Sequence, residues 1–113
     1  MASECLFCRI VRKEIPAAIV AENAHCIAFR DINAQAPVHV LVIPRAHIAT
    51  VNDVTDYAVV AQMHALAALV VTAEGIGPRG FRMVINTNED GGQTVFHLHM
   101  HVFGGRRMSW PPG

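Results

Sequence analysis

Residues 96–103 read Phe96-His97-Leu98-His99-Met100-His101-Val102-Phe103. Side chains alternate faces along a strand, so His97, His99 and His101 share one face and Leu98, Met100 and Val102 the other. The three imidazoles then stand in a row, about 7 Å from one to the next. The apolar face is expected to pack on the core. An edge strand that merely exposes polar residues commonly carries Thr, Lys or Glu. Three histidines on strict alternation point to chemistry instead.

The composition around this segment is that of a small packed protein. The chain has 113 residues, 52% of them hydrophobic and 16% charged. That excludes a disordered chain and fits one domain spanning residues 1–113. Nine basic residues balance nine acidic ones, for a formal net charge of zero. No basic surface is expected to draw nucleic acid or an anionic membrane. The start of the chain lacks a basic segment followed by a long apolar run, so a cytoplasmic location is expected. Tyr57 to Ala73 is apolar but interrupted by Gln62, His64 and Thr72, and falls short of a membrane span. Seven histidines in this length are the outlier.

Working outward, Leu6, Phe7, Ile10 and Val11 at helical spacing predict a short helix ending before Pro16. Ile19–Glu22 and Cys26–Arg30 read as strands joined across Asn23-Ala24. Residues 31–37 read as a loop, and Val38–Ile43 as a central strand ended by Pro44. Asp53 or Thr55 is expected to cap a long, largely buried helix reaching about Glu74, which Gly75, Gly77 and Pro78 terminate. Phe81–Asn86 reads as a strand, 87–94 as a polar turn and Val95–Phe103 as the last strand. This order predicts an α+β class: an antiparallel sheet of about five strands with two helices.

Aligned imidazoles suit metal binding or nucleophilic and acid–base catalysis near neutral pH. The preceding Asp90-Gly91-Gly92-Gln93-Thr94 can turn tightly and offer backbone N–H groups and a hydroxyl to an anion, although most such turns only reverse the chain. His39 joins the cluster if its strand pairs near residues 97–101; otherwise it is a core histidine with one backbone partner. Asp31 follows a strand, a common place for a turn former.

Three cysteines without an export signal argue against a disulfide framework. Cys5-x-x-Cys8 places two sulfurs on one side, as in half a zinc site, with His47 and His97 as candidates for the other half. Free buried thiols and a redox pair are the alternatives. Cys26, within a strand, reads as a small core residue. His25 and His64 read as structural, and Arg106-Arg107 as a solvated pair.

The run His97-Leu98-His99-Met100-His101-Val102-Phe103 resembles the signature of the histidine triad superfamily. Arg12-Lys13-Glu14-Ile15-Pro16, Ala28-Phe29-Arg30-Asp31-Ile32, Gln35-Ala36-Pro37, His39, Val42-Ile43-Pro44, Asn86, Asp90 to Thr94, Gly104-Gly105-Arg106 and the ending Trp110-Pro111-Pro112-Gly113 resemble its Hint branch, the purine nucleoside phosphoramidase type.

The resemblance implies a homodimer whose two sheets join into one, and cleavage of the P–N bond of adenosine or guanosine 5′-phosphoramidates to a nucleoside monophosphate and an amine. His99 matches the nucleophile that forms a nucleotidyl-histidine intermediate. His101 and His39 match phosphate contacts. Thr94 stands where many relatives have Ser, a hydroxyl that assists the departing amine. Asp31 matches the ribose-binding carboxylate; Phe7, Phe29, Ile32 and Leu41 match the walls of the base pocket. Asn86, Gly92 and Gln93 match the phosphate side. A subset of the superfamily resembles this chain in carrying structural zinc on a Cys-x-x-Cys pair, a Pro-x-x-His histidine and the first triad histidine, here Cys5, Cys8, His47 and His97. Catalysis then requires no cofactor. The implied tail reaches toward the partner's site. A non-catalytic nucleotide-binding or partner-scaffolding module, and a zinc-dependent hydrolase, are the competing readings.

Overall fold

A computed structural model describes residues 4–113. The elements run α1 (Leu6–Val11), β1 (Ile19–Glu22), β2 (Cys26–Arg30), β3 (Val38–Pro44), α2 (Ala58–Ala73), β4 (Phe81–Val84), α3 (Asn88–Gly91) and β5 (Met100–Gly104). All strand pairings are antiparallel, in the order β1-β2-β3-β5-β4. The α+β class and the five strands are as expected; the helices number three among the described residues, not two.

The sheet is covered on both faces, which explains why β2 and β3 are apolar at nearly every position. On one face, Cys26, Ala28, Val40, Val42, Leu98, Met100 and Val102 pack with Met63, Leu66, Ala67 and Val70 of α2. On the other, Ile27, Phe29, Leu41 and Ile43 pack with Phe7 and Ile10 of α1. Alternation in the histidine segment therefore divides as expected: its aliphatic residues face α2, and its histidines face the α1 side.

Three boundaries depart from the sequence expectation. β5 begins at Met100, not Val95. Continuing the register that pairs Val42 with Met100 sets Leu98 against Pro44, which has no N–H to offer. The Leu98 N–H instead donates to the Ile48 oxygen over 2.6 Å. With β5 shortened, β4 stops at Val84, two residues before Asn86. Neither Asp53 nor Thr55 caps α2. Asp53 closes a capping box with Thr50 on a short 3-10 turn, Val51–Asp53, and the Ala58 N–H donates to Asp56 Oδ1 over 3.0 Å. The turn at 87–94 contains the helical turn α3, ended by Gly92 in the left-handed region at φ 81°.

β1 and β4 are the sheet edges. Phe81 and Met83 of β4 and Leu69 of α2 are exposed apolar side chains. The Ser109 oxygen accepts from Arg82 Nη2 over 2.8 Å, tying the tail to β4. Trp110 remains 82% exposed, so its indole is left open to solvent. No helix among the described residues is long and apolar enough to cross a membrane.

Candidate active site and metal cage

The histidines fall into two groups, and their hydrogen bonds fix which nitrogen carries the proton. His99 Nδ1 lies 2.7 Å from the main-chain oxygen of His97. A carbonyl only accepts, so Nδ1 carries the hydrogen and Nε2 holds a free lone pair. His39 is the reverse. Its Nδ1 accepts from the Gln35 N–H over 3.0 Å, which places the proton on Nε2. That Nε2–H donates to His101 Nδ1 over 2.9 Å and sits 3.4 Å from Asp31 Oδ2. His101 in turn carries its proton on Nε2. A backbone amide thus sets the protonation pattern of two imidazoles in series.

The β3–β5 register creates this contact by placing His39 opposite Phe103 and Leu41 opposite His101. Phe103 stacks parallel to His101, with centroids 5.5 Å apart, and lies 4.3 Å from His39. Burial, followed by the like charges of His99 and His39, pushes the His101 pKa down to about 4. Burial also lowers His39, against the opposing pull of Asp31. Both imidazoles are therefore neutral donors at physiological pH.

His99, His101 and His39 border a cleft of about 570 Å³. One arm is apolar, with Phe7, Ile10, Phe29, Leu41 and Ile32; Asp31, Asn86 and Thr94 also border the cleft. Asp31 keeps a turn-forming role as well, because its Oδ1 accepts from the Asn33 N–H over 2.9 Å. Gly92 and Gln93 stand apart from the other expected residues and are absent from the cleft lining. The Gln93 side chain bridges Asn88, Ala49 and Val95, and the Gly92 N–H is committed to the Glu89 oxygen. Gln35 and Phe103 stand in motifs quoted from the sequence, but no site role was assigned to either. Phe103 was findable, since it sits two residues beyond His101 on the same face. The role of the Gln35 amide has no side-chain signature.

The second group is Cys5, Cys8, His47 and His97, whose ligand atoms all lie within 4.8 Å of one another. His97 Nε2–H donates to the Pro44 oxygen over 2.8 Å, leaving the Nδ1 lone pair facing Cys5 Sγ at 3.5 Å and Cys8 Sγ at 3.6 Å. His47 Nδ1 is 3.2 Å from Cys8 Sγ. A tetrahedral zinc with ordinary Zn–S and Zn–N bonds sets S···N at about 3.6 Å. The Cys8 N–H points at Cys5 Sγ over 3.5 Å. Burial, then Cys5, raises the Cys8 pKa; a dication between the sulfurs reverses that balance. The donor set and its backbone-anchored His97 fit zinc.

Asp31, His39 and His101 also lie close enough to hold an ion, but the tautomers argue against it. The Gln35 N–H occupies His39 Nδ1, so His39 Nε2 carries a proton where a metal needs a lone pair.

A family model for the HIT domain matches residues 12–108. The chain is 50% identical over 115 residues to an uncharacterized HIT-like protein of Synechocystis sp., covering all of both. It is 47% identical over 110 residues to the purine nucleoside phosphoramidase of Escherichia coli strain K12, covering 96% of this chain and 92% of that one. The crystal structure of a HIT family hydrolase from Legionella pneumophila Philadelphia 1 has a TM-score of 0.94 at 50% identity, covering 97% of this chain and 100% of that chain. A family match over 97 of the 113 residues (12 through 108), together with these relatives, shows that the chain belongs to the HIT family.

Proposed function

We propose that this protein is a nucleotide hydrolase that cleaves the P–N bond of purine nucleoside 5′-phosphoramidates. The observation that carries the reading is the free Nε2 of His99, held at the border of a cleft that has an apolar arm and is also lined by the Asp31 carboxylate. The base lies against Phe7, Phe29, Ile32 and Leu41, and the ribose hydroxyls meet Asp31. His99 Nε2 attacks the α-phosphorus as the P–N bond breaks, and the leaving nitrogen takes a proton from the Thr94 hydroxyl, which solvent water reprotonates. The His101 Nε2–H stabilises a non-bridging oxygen, supported by His39, in a site already organised for that charge. Asn86 assists on the phosphate side; Gly92 and Gln93 contribute by shaping the turn before Thr94. Water then attacks the phosphorus of the nucleotidyl-His99 adduct, breaking its P–N bond to His99, releasing nucleoside monophosphate, returning one proton to solvent and restoring the neutral imidazole. The 47% identity to a purine nucleoside phosphoramidase supports this choice of substrate.

Zinc held by Cys5, Cys8, His47 and His97 is structural in this reading: it fixes the chain around His97 and supplies no group to the reaction. The protein acts as a cytoplasmic homodimer in which the β4 edge pairs with its copy. The free edge and the exposed Phe81, Met83, Leu69 and Trp110 support that assembly. Such pairing buries an edge that would otherwise be open.

Incubation with adenosine 5′-phosphoramidate, with intact-mass analysis after a quench that avoids acid, tests the reaction. The expected result is AMP and ammonia, with a transient AMP adduct mapped to His99. Binding of AMP without turnover or adduct would favour the non-catalytic nucleotide-binding module instead.

A further inference from the structure

The metal cage and the nucleotide cleft share one wall. Cys5 is the N-cap of α1 and Cys8 lies in its first turn, while Leu6, Phe7 and Ile10 of the same helix line the cleft. A six-residue helix has little stability of its own, so its position depends on what grips it. Phe7 sits between the two sites. Its ring meets His97 edge-on at 5.9 Å, His99 at 5.2 Å and Phe29 at 5.5 Å. A second route runs through His97. Its ring nitrogens face the two sulfurs and the Pro44 oxygen, and its own main-chain oxygen holds the His99 Nδ1–H. The four ligands therefore grip both the wall against which a base would lie and the carbonyl that sets the nucleophile's tautomer.

We propose that occupancy of the Cys5, Cys8, His47 and His97 cage by zinc sets the affinity of the cleft for a purine nucleoside monophosphate, with Phe7 and His97 as the positioning residues that carry the coupling. The inference rests on the metal and nucleotide readings given above, and it adds a relation between them that neither contains. Emptying the cage frees α1 to move from His99 and Phe29, and frees the His97 backbone to release His99 Nδ1. Coupling between two binding sites is reciprocal, so AMP must tighten zinc by the same factor by which zinc tightens AMP.

The test uses the full chain under reducing conditions. AMP affinity is measured by calorimetry on zinc-loaded and chelator-stripped protein, with circular dichroism to confirm that both are folded. Zinc affinity is measured by competition with a chromophoric chelator, with and without saturating AMP. The expected result is at least about tenfold weaker AMP binding after stripping, and a matching gain in zinc affinity with AMP present. Imidazole ¹⁵N shifts are expected to report a single Nδ1–H tautomer for His99 in loaded protein and a mixture in stripped protein.

Phe7→Leu covers the case in which stripping unfolds the chain. It keeps all four ligands, so zinc affinity without AMP is expected to hold while the AMP-dependent gain falls toward one. An undiminished gain in Phe7→Leu, or zinc affinity indifferent to AMP in the parent protein, overturns the proposal. Folded protein that takes up no zinc removes the metal reading and this inference together. Zinc-loaded protein that fails to bind AMP removes the nucleotide reading, and this inference with it.

Discussion

The Nδ1–H of His99 donates to the main-chain oxygen of His97 over 2.7 Å, which turns the opposite nitrogen into the reactive one. A neutral imidazole attacks phosphorus only through a bare nitrogen, so this bond decides which face of the ring does chemistry. Replacement of His99 by Ala is expected to lower kcat/KM by at least about 10³-fold, the scale seen when a nucleophile is removed. AMP affinity is expected to change by no more than a few-fold, because the base and ribose walls persist. Steady-state kinetics and calorimetry on the same preparation check both halves.

The Gln35 to His39 to His101 series makes a different demand. Its order depends on an amide that only donates. His39→Ala leaves His101 Nδ1 without its donor and frees the ring to change tautomer. A loss of about tenfold in kcat is expected, equivalent to one hydrogen bond of about 1.4 kcal/mol. His39→Asn, which can present an N–H on a shorter side chain, is expected to recover part of that rate. Equal rates for the two variants would show that His39 fills space and nothing more.

Much of this site was legible in the sequence because alternation along a strand is a strong constraint. It placed His97, His99 and His101 on one side and sent Leu98, Met100 and Val102 to α2. What alternation could not show was where the ladder begins. Pro44 ends pairing at Met100, so His97 and His99 lie before the strand proper. The roles of Gln35 and the His97 carbonyl stayed hidden because they belong to backbone atoms, which every residue possesses. The resemblance puts Gln93 on the phosphate side, yet its amide is committed to Asn88, Ala49 and Val95.

Acid sensitivity follows from the low pKa of His101. In the unfolded chain a histidine takes up a proton below about 6.5, whereas folded His101 does so only at about 4. Between those values the unfolded state holds more protons, so stability rises with pH and falls as acid is added. The depressed His39 acts in the same direction. The melting temperature is expected to drop from pH 6.5 toward pH 4. The slope should be shallower in His101→Gln, which keeps the metal ligands and so isolates this residue from loss of zinc. Identical slopes would remove His101 as the cause.

Gly104 ends β5 against Ile76. A Cβ there would lie 2.7 Å from Ile76 Cδ1, 2.8 Å from Cγ2 and 2.9 Å from Cβ. Ile76 is buried beside α2 and has little room to retreat. Gly104→Ala is expected to cost about 1–3 kcal/mol through overpacking, read as a drop in melting temperature by calorimetry. Combining it with Ile76→Ala should give less than the sum of the two single losses, since the smaller residue removes two of the three close contacts.

Thr94 borders the cleft with the histidines, and its proposed task concerns the leaving nitrogen. That task separates substrates by the basicity of their amine. An aniline leaves as a weakly basic nitrogen and needs little protonation; an alkylamine needs a great deal. Thr94→Val preserves shape and removes the hydroxyl. It is therefore expected to slow adenosine phosphoramidates of alkylamines by about 10²-fold or more, the lower end of a general-acid effect, and those of anilines far less. Thr94→Ser should track the parent on both. A uniform loss across the amine series would mean that Thr94 holds the phosphate or the loop, and the proton would have to reach the departing amine by another route.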